Sequence, residues 1–182
     1  MFTTRQVALL RGINVGKAKR VAMADLRALV EGLGYGDART LLNSGNVVFN
    51  TAESPETAAT RIESAIATEI GVSAKVTVIT RDDVAQIIAE NPLTAIADDF
   101  SRLLVAVLNN PADRKKLEPL LTQEWTPDVM ALGGRVAYLW CAGGILESRL
   151  AAAVGKALKD AATTRNWATF LKLHALMCLE KQ

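Results

Sequence analysis

The chain is poor in the groups that most often carry chemistry. Its 182 residues include two cysteines and one histidine, and Cys141 and Cys178 stand far apart with no second Cys or His at the spacing of a zinc motif. No metal site, cofactor or disulfide framework is therefore expected, and both thiols read as free and buried. Aromatic residues make up 5% of the chain. The apolar stretch Gln6-Val7-Ala8-Leu9-Leu10 has none and Val47–Asn50 has only Phe49, which argues against the sheet-face base stacking of RNA-recognition modules. Neither sign of charge dominates: 21 Lys and Arg face 19 Asp and Glu, unlike the strongly cationic balance of a dedicated nucleic-acid binder. Long apolar runs are missing too. Val7–Leu10 is too short for a signal-peptide core and ends at Arg11, and no stretch approaches a membrane span, so a cytoplasmic location is expected.

What remains is an apolar half distributed with clear periodicity, on a chain long enough to bury about 70% of its unfolded surface. Gln6–Arg11 reads as a buried strand. Met23, Leu26, Leu29, Val30 and Leu33 recur at helical spacing and are stopped by Gly32, Gly34 and Gly36. Thr40–Leu42 and Val47–Asn50 form a hairpin around the turn residues Asn43-Ser44-Gly45-Asn46. Ser54-Pro55 opens a helix that runs through Ile62, Ile66 and Ile70 to Gly71, and Lys75–Thr80 is a strand. The order strand, helix, strand, strand, helix, strand is the split βαβ arrangement of ferredoxin-like domains.

After a helix opened by the capping box Thr80-Arg81-Asp82-Asp83 and a Pro92 linker, the pattern restarts. A strand is expected over Arg102–Leu108, helices over Pro111–Leu121 and Leu146–Lys159, and a hairpin of Val129–Leu132 with Val136–Trp140. The final strand is expected to be missing, replaced by an apolar helix from Trp167 to Leu179. The predicted fold is thus α+β: two ferredoxin-like (βαββαβ) subdomains in tandem, residues 1–80 and 101–182, joined by a helix and linker over 81–100. The second is degenerate and carries the C-terminal helix.

In that topology the loop after the first strand and the hairpin between the second and third share one end of the sheet. Arg11-Gly12-Ile13-Asn14-Val15-Gly16-Lys17 thereby becomes a neighbour of Asn43–Asn46. The first loop is not a P-loop, because only three residues separate Gly12 from Gly16 and Ala18 follows Lys17 where Ser or Thr would hold magnesium. A glycine-containing turn with Arg11, Lys17, Lys19 and Arg20 still suits an anion, although solvated charges on a plain turn account for it equally well. Asn, Ser and Gly at 43–46 are ordinary turn residues. Thr163-Thr164-Arg165-Asn166-Trp167 is expected to open the last helix, with Thr164 or Asn166 as its cap. Arg165 at a helix N-terminus is unexplained by capping and favours an anion there. Ser148 after Gly143-Gly144 and His174 four residues before Cys178 read as a turn residue and a partly buried histidine.

Leu9–Gly16, Ser44–Phe49 and Thr164-Arg165-Asn166-Trp167-Ala168-Thr169 together resemble the bacterial family called domain of unknown function 1697. Ala24–Arg27, Asn91-Pro92-Leu93 and the stretch from Leu139-Trp140 to Leu150 extend the likeness over nearly the whole chain. Lys17 stands where the family usually has a second glycine, and Cys141 to Gly144 departs from its Tyr-x-x-Asp-Gly pattern. The resemblance implies a pair of ferredoxin-like subdomains and supplies no activity, so no catalytic residues are carried over.

The first functional expectation is a site for a phosphorylated or carboxylated small molecule or nucleotide, built from Arg11, Asn14, Lys17, Ser44, Asn46, Arg165 and Asn166. The alternatives are a nucleic-acid binder using the basic loop 11–20, and a non-catalytic interaction module or homodimer. No pair of residues has the proximity in sequence that acid–base or nucleophilic catalysis requires.

Overall fold

The computed structural model describes residues 3–179. Its secondary structure is that of an α+β protein with two four-stranded antiparallel sheets. The first sheet comprises β1 (Thr4–Arg11), β2 (Gly36–Leu41), β3 (Asn46–Thr51) and β4 (Lys75–Thr80), ordered β2-β3-β1-β4. Helices α1 (Met23–Gly32) and α2 (Pro55–Ala65) provide the crossovers. Chain contacts divide the molecule into two compact units, one holding the chain up to Val84 together with the residues from Leu173 on, the other Ala85–Lys172.

In the first unit β1 is buried over Val7–Leu10 because it lies between β3 and β4. Ala8 and Leu10 face the helices and join Leu26, Val30, Val47, Phe49, Ile62 and Val78 in one core. Burial of these side chains follows from the period-2 pattern of the strands meeting the helical period of α1 and α2. α2 starts at the Ser54 cap, whose Oγ accepts from the Thr57 N–H at 3.2 Å. It runs into a π-helical turn over Ile66–Ile70, which Gly71 ends in the left-handed conformation at φ 74°. The capping box forms as the sequence predicts: Thr80 Oγ1 accepts from the Asp83 N–H at 3.1 Å while the Asp83 carboxylate accepts from the Thr80 N–H at 2.8 Å. It opens α3 (Arg81–Ala89).

The second unit holds β5 (Leu103–Leu108), β6 (Val129–Leu132), β7 (Val136–Trp140) and β8 (Ala162–Asn166), in the order β6-β7-β5-β8. The expected missing strand is therefore present. Leu104–Leu108 pairs antiparallel with Ala162–Asn166. The five residues Ala-Thr-Thr-Arg-Asn show no apolar alternation of their own, and pairing with the buried β5 makes them a strand. Pro111–Leu120 is a 3-10 segment rather than an α-helix, with Pro119 inside it. α4 (Arg149–Leu158) begins three residues later than expected because Ser148 caps it, and α5 (Trp167–Cys178) is the last element. Leu104, Ala106, Leu117, Leu139, Leu150 and Val154 form this unit's core.

Candidate functional site

The two polar loops of the first unit meet. The Leu10 N–H donates to the Gly45 carbonyl at 2.8 Å, which fixes the hairpin turn against the end of β1. Asn14 then ties the segments together through its side chain. Its Nδ2 donates to the Asn43 carbonyl at 2.8 Å and to the Val21 carbonyl at 2.9 Å, and its Oδ1 accepts from the Val21 N–H at 2.9 Å. The Asn14 N–H donates to the Lys19 carbonyl at 2.9 Å, so residues 14–21 form a closed loop pinned at its base. Asn14 sits at φ 54°, a conformation that asparagine tolerates better than other side chains.

Asn46 is fully buried, and its amide donates to the Leu41 carbonyl at 2.7 Å and to Ser44 Oγ at 3.0 Å. Both candidate asparagines thus spend their amides on holding the loops. The loop's outward groups are Lys17, Lys19 and Arg20, all exposed and forming no ion pair or side-chain hydrogen bond among the described residues. Arg11 is half-buried and in register with Lys75 on β4. Ser44 is exposed at the hairpin tip. The structure therefore brings Arg11, Asn14, Lys17, Ser44 and Asn46 onto one pair of adjoining loops in one unit.

Arg165 and Asn166 belong to the second unit, and the expectation that Arg165 opens a helix is corrected. It lies on β8 opposite Val105, and its guanidinium donates to the Thr164 carbonyl at 2.9 Å. Desolvation pulls its pKa down to about 10. Asn166, not Thr164, caps α5, its Oδ1 accepting from the Thr169 N–H at 2.9 Å.

A second polar cluster in the first unit was invisible in the sequence because its members lie on two separate connections and on α2. The Tyr35 hydroxyl donates to Glu53 Oε2 at 2.5 Å, Arg61 pairs with Glu53 Oε1, and the Arg61 guanidinium lies 5.4 Å from the Tyr35 ring centre. Tyr35 also stacks on Phe49 with ring centres 4.9 Å apart. Burial, reinforced by the hydrogen bond to Glu53, pushes the Tyr35 phenol up to about 12. The same hydrogen bond holds the Glu53 carboxyl below its usual range. These groups edge an open depression of about 670 Å3 that Gly34, Gly36 and Asn50 also line. Both Glu53 oxygens are occupied, so the cluster fastens the turn after α1 to the start of α2 and presents no idle base.

Ser148 and Cys141 of the second unit are placed structurally as well. Ser148 Oγ accepts from the Ala151 N–H at 2.9 Å while it donates to Asp128 Oδ2 at 2.6 Å. Cys141 is buried and burial raises its thiol pKa, which makes it a structural rather than a reactive cysteine. Cys178 corrects the expectation of two buried thiols. It lies in the first unit and is exposed, with Sγ 3.6 Å from His174 Nε2.

Comparison with known proteins places this geometry in a family. A profile described as "Protein of unknown function (DUF1697)" matches residues 3–138. The chain belongs to that family. The match takes in the whole of the loop pair, from β1 through the Asn43–Asn46 turn, as well as the first strand of the second sheet. The solved structure of the conserved bacterial protein SP0830 from Streptococcus pneumoniae is similar to this family member at 21% sequence identity with a TM-score of 0.79, covering 97% of this chain and 99% of that one. At that identity the likeness shows a shared fold. None of the curated protein sequences matches the chain. The family description names no activity, and no helix among the described residues is long and apolar enough to cross a membrane.

Proposed function

We propose that the first unit binds a phosphate- or carboxylate-bearing ligand on the loop of residues 11–20. The supporting observation is the Asn14 brace, whose three side-chain hydrogen bonds hold in place a turn that carries Lys17, Lys19 and Arg20 outward. A cation held on an ordered loop loses less conformational entropy on binding than one on a mobile tail. Arg11 and Ser44 extend the same surface, whereas Asn14 and Asn46 position it. Arg165 and Asn166, on the second unit, are left out of this reading. Each unit is further read as ferredoxin-like, supported by the shared strand order and crossovers, the second being degenerate in its 3-10 first crossover.

An extended polyanion, a nucleic acid, is the second reading, favoured by three exposed cations, Lys17, Lys19 and Arg20, within four residues of one loop. Thermal-shift titration with phosphate, mononucleotides and short oligonucleotides tests both. Stabilisation by phosphate or mononucleotides supports the small anion, and binding that strengthens with oligonucleotide length and weakens steeply with salt supports the polymer. Absence of both at low ionic strength overturns the proposal.

A further inference from the structure

The last turn of α5 carries a pair of groups that the proposed anion site does not use. His174 and Cys178 are four residues apart on one helical face, with Nε2 and Sγ separated by 3.6 Å. Cys178 is exposed and His174 partly so, and both belong to the first unit. The Arg5 guanidinium donates to the Leu176 carbonyl at 3.3 Å, while its other terminal nitrogen pairs with Asp37 at 2.8 Å. This anchors to β1 the helical turn on which the two side chains stand. The pair escapes the usual sequence signature of a zinc motif, which has two cysteines or two histidines at short spacing.

The separation matches a chelate. Tetrahedral zinc holds a thiolate sulfur at about 2.3 Å and an imidazole nitrogen at about 2.0 to 2.1 Å, so the two donor atoms stand about 3.5 Å apart. The observed 3.6 Å lies close to that value. We propose that His174 and Cys178 form a bidentate site for a borderline-soft divalent cation of the Zn2+ class. Binding replaces the thiol proton: the S–H bond breaks, the S–metal bond forms, and the proton leaves to solvent, while neutral Nε2 donates its lone pair. No third His, Cys, Asp or Glu among the described residues completes the set. The two other positions of the tetrahedron are open to water or to the same pair from a second copy of this chain.

Soft ligands select this class of ion over Mg2+ and Ca2+, which prefer oxygen. The test uses the reduced full chain and Co2+ as a spectroscopic stand-in for Zn2+. The expected result is a thiolate-to-cobalt charge-transfer absorption that Zn2+ bleaches, that Mg2+ does not affect, and that is lost in Cys178→Ser but kept in Cys141→Ala. Loss of an outer-shell partner of a metal ligand costs about 10- to 100-fold in affinity, so His174→Gln, which removes a ligand itself, should weaken binding by at least about tenfold. Zn2+ should also slow alkylation of Cys178 in the native chain and not in His174→Gln. Both altered side chains lie on the helix surface, and far-UV circular dichroism verifies that the variants fold. Absence of the charge-transfer absorption in the native chain, or its indifference to His174→Gln, overturns the proposal; a stoichiometry of one or two chains per metal supports it equally.

Discussion

The side-chain amide of Asn14 donates to the carbonyl of Asn43 at 2.8 Å, so a residue of the loop after β1 closes the hairpin between β2 and β3. The same amide satisfies both backbone groups of Val21, a buried residue. One side chain therefore sets the shape of the proposed binding surface. Asn14→Ala leaves these groups without their partner and places alanine at φ 54°. The expected cost is about 1 to 3 kcal/mol, read as a lower midpoint in urea unfolding, together with faster amide exchange over residues 14–21.

Gly45 and Gly12 separate two consequences of positive φ. A Cβ on Gly45, at φ +86°, would stand 2.6 Å from Ile13 Cδ1 and 2.8 Å from Leu10 Cβ, whereas one on Gly12, at φ +79°, would meet nothing within 4 Å. Gly12→Ala should cost about 1 kcal/mol from backbone strain alone. Gly45→Ala adds overpacking of about 1 to 3 kcal/mol, because Leu10 Cβ is fixed to a central strand and cannot move aside. Denaturant titration of the two variants side by side checks the difference.

Leu42 follows β2 at φ 60° with its side chain exposed. Leucine gains little burial there and strains the backbone, so Leu42→Gly or Leu42→Asn should stabilise the protein by roughly 0.5 to 1 kcal/mol. An increased thermal midpoint for either variant is the expected result.

The triple variant Lys17→Ala, Lys19→Ala, Arg20→Ala should leave stability within about 0.5 kcal/mol of the native chain, since exposed charges away from a packed feature contribute little. Affinity for phosphate-bearing ligands should fall. For an oligonucleotide, the slope of log affinity against log salt should shrink by roughly 0.7 to 0.9 for each phosphate that the variant no longer neutralises. Titrations at several salt concentrations read this out.

Both tyrosines of the chain, Tyr35 and Tyr138, have phenols pushed up to about 12, chiefly by burial. A pKa higher in the folded than in the unfolded chain means that folding favours the protonated form. That contribution is intact below about pH 10, the ordinary tyrosine value, and disappears as pH rises from about 10 through about 12. Tyrosinate absorbance of the folded protein should therefore rise later than that of the urea-unfolded chain, and stability should fall across the same window.

Seven of the eight strands and the loop convergence were legible in the chain, because apolar alternation, helix caps and turn residues are local signals that tertiary contacts here reinforce. Ser54-Pro55, the Thr80–Asp83 box and the Gly-containing turns each do in the fold what their chemistry predicts. β8 was not legible: Ala162–Asn166 has no apolar alternation, and its ladder partner β5 lies more than fifty positions earlier in the chain. The same cause moved Arg165 from a helix start to a strand and engages the Asn14 and Asn46 amides with backbone groups of neighbouring segments. Local spacing determines which segments are strands or helices and which loops share a sheet end. Hydrogen-bond partners distant in sequence decide how a side chain is used, because an amide or carboxylate commits to whichever buried backbone group the fold brings within about 3 Å.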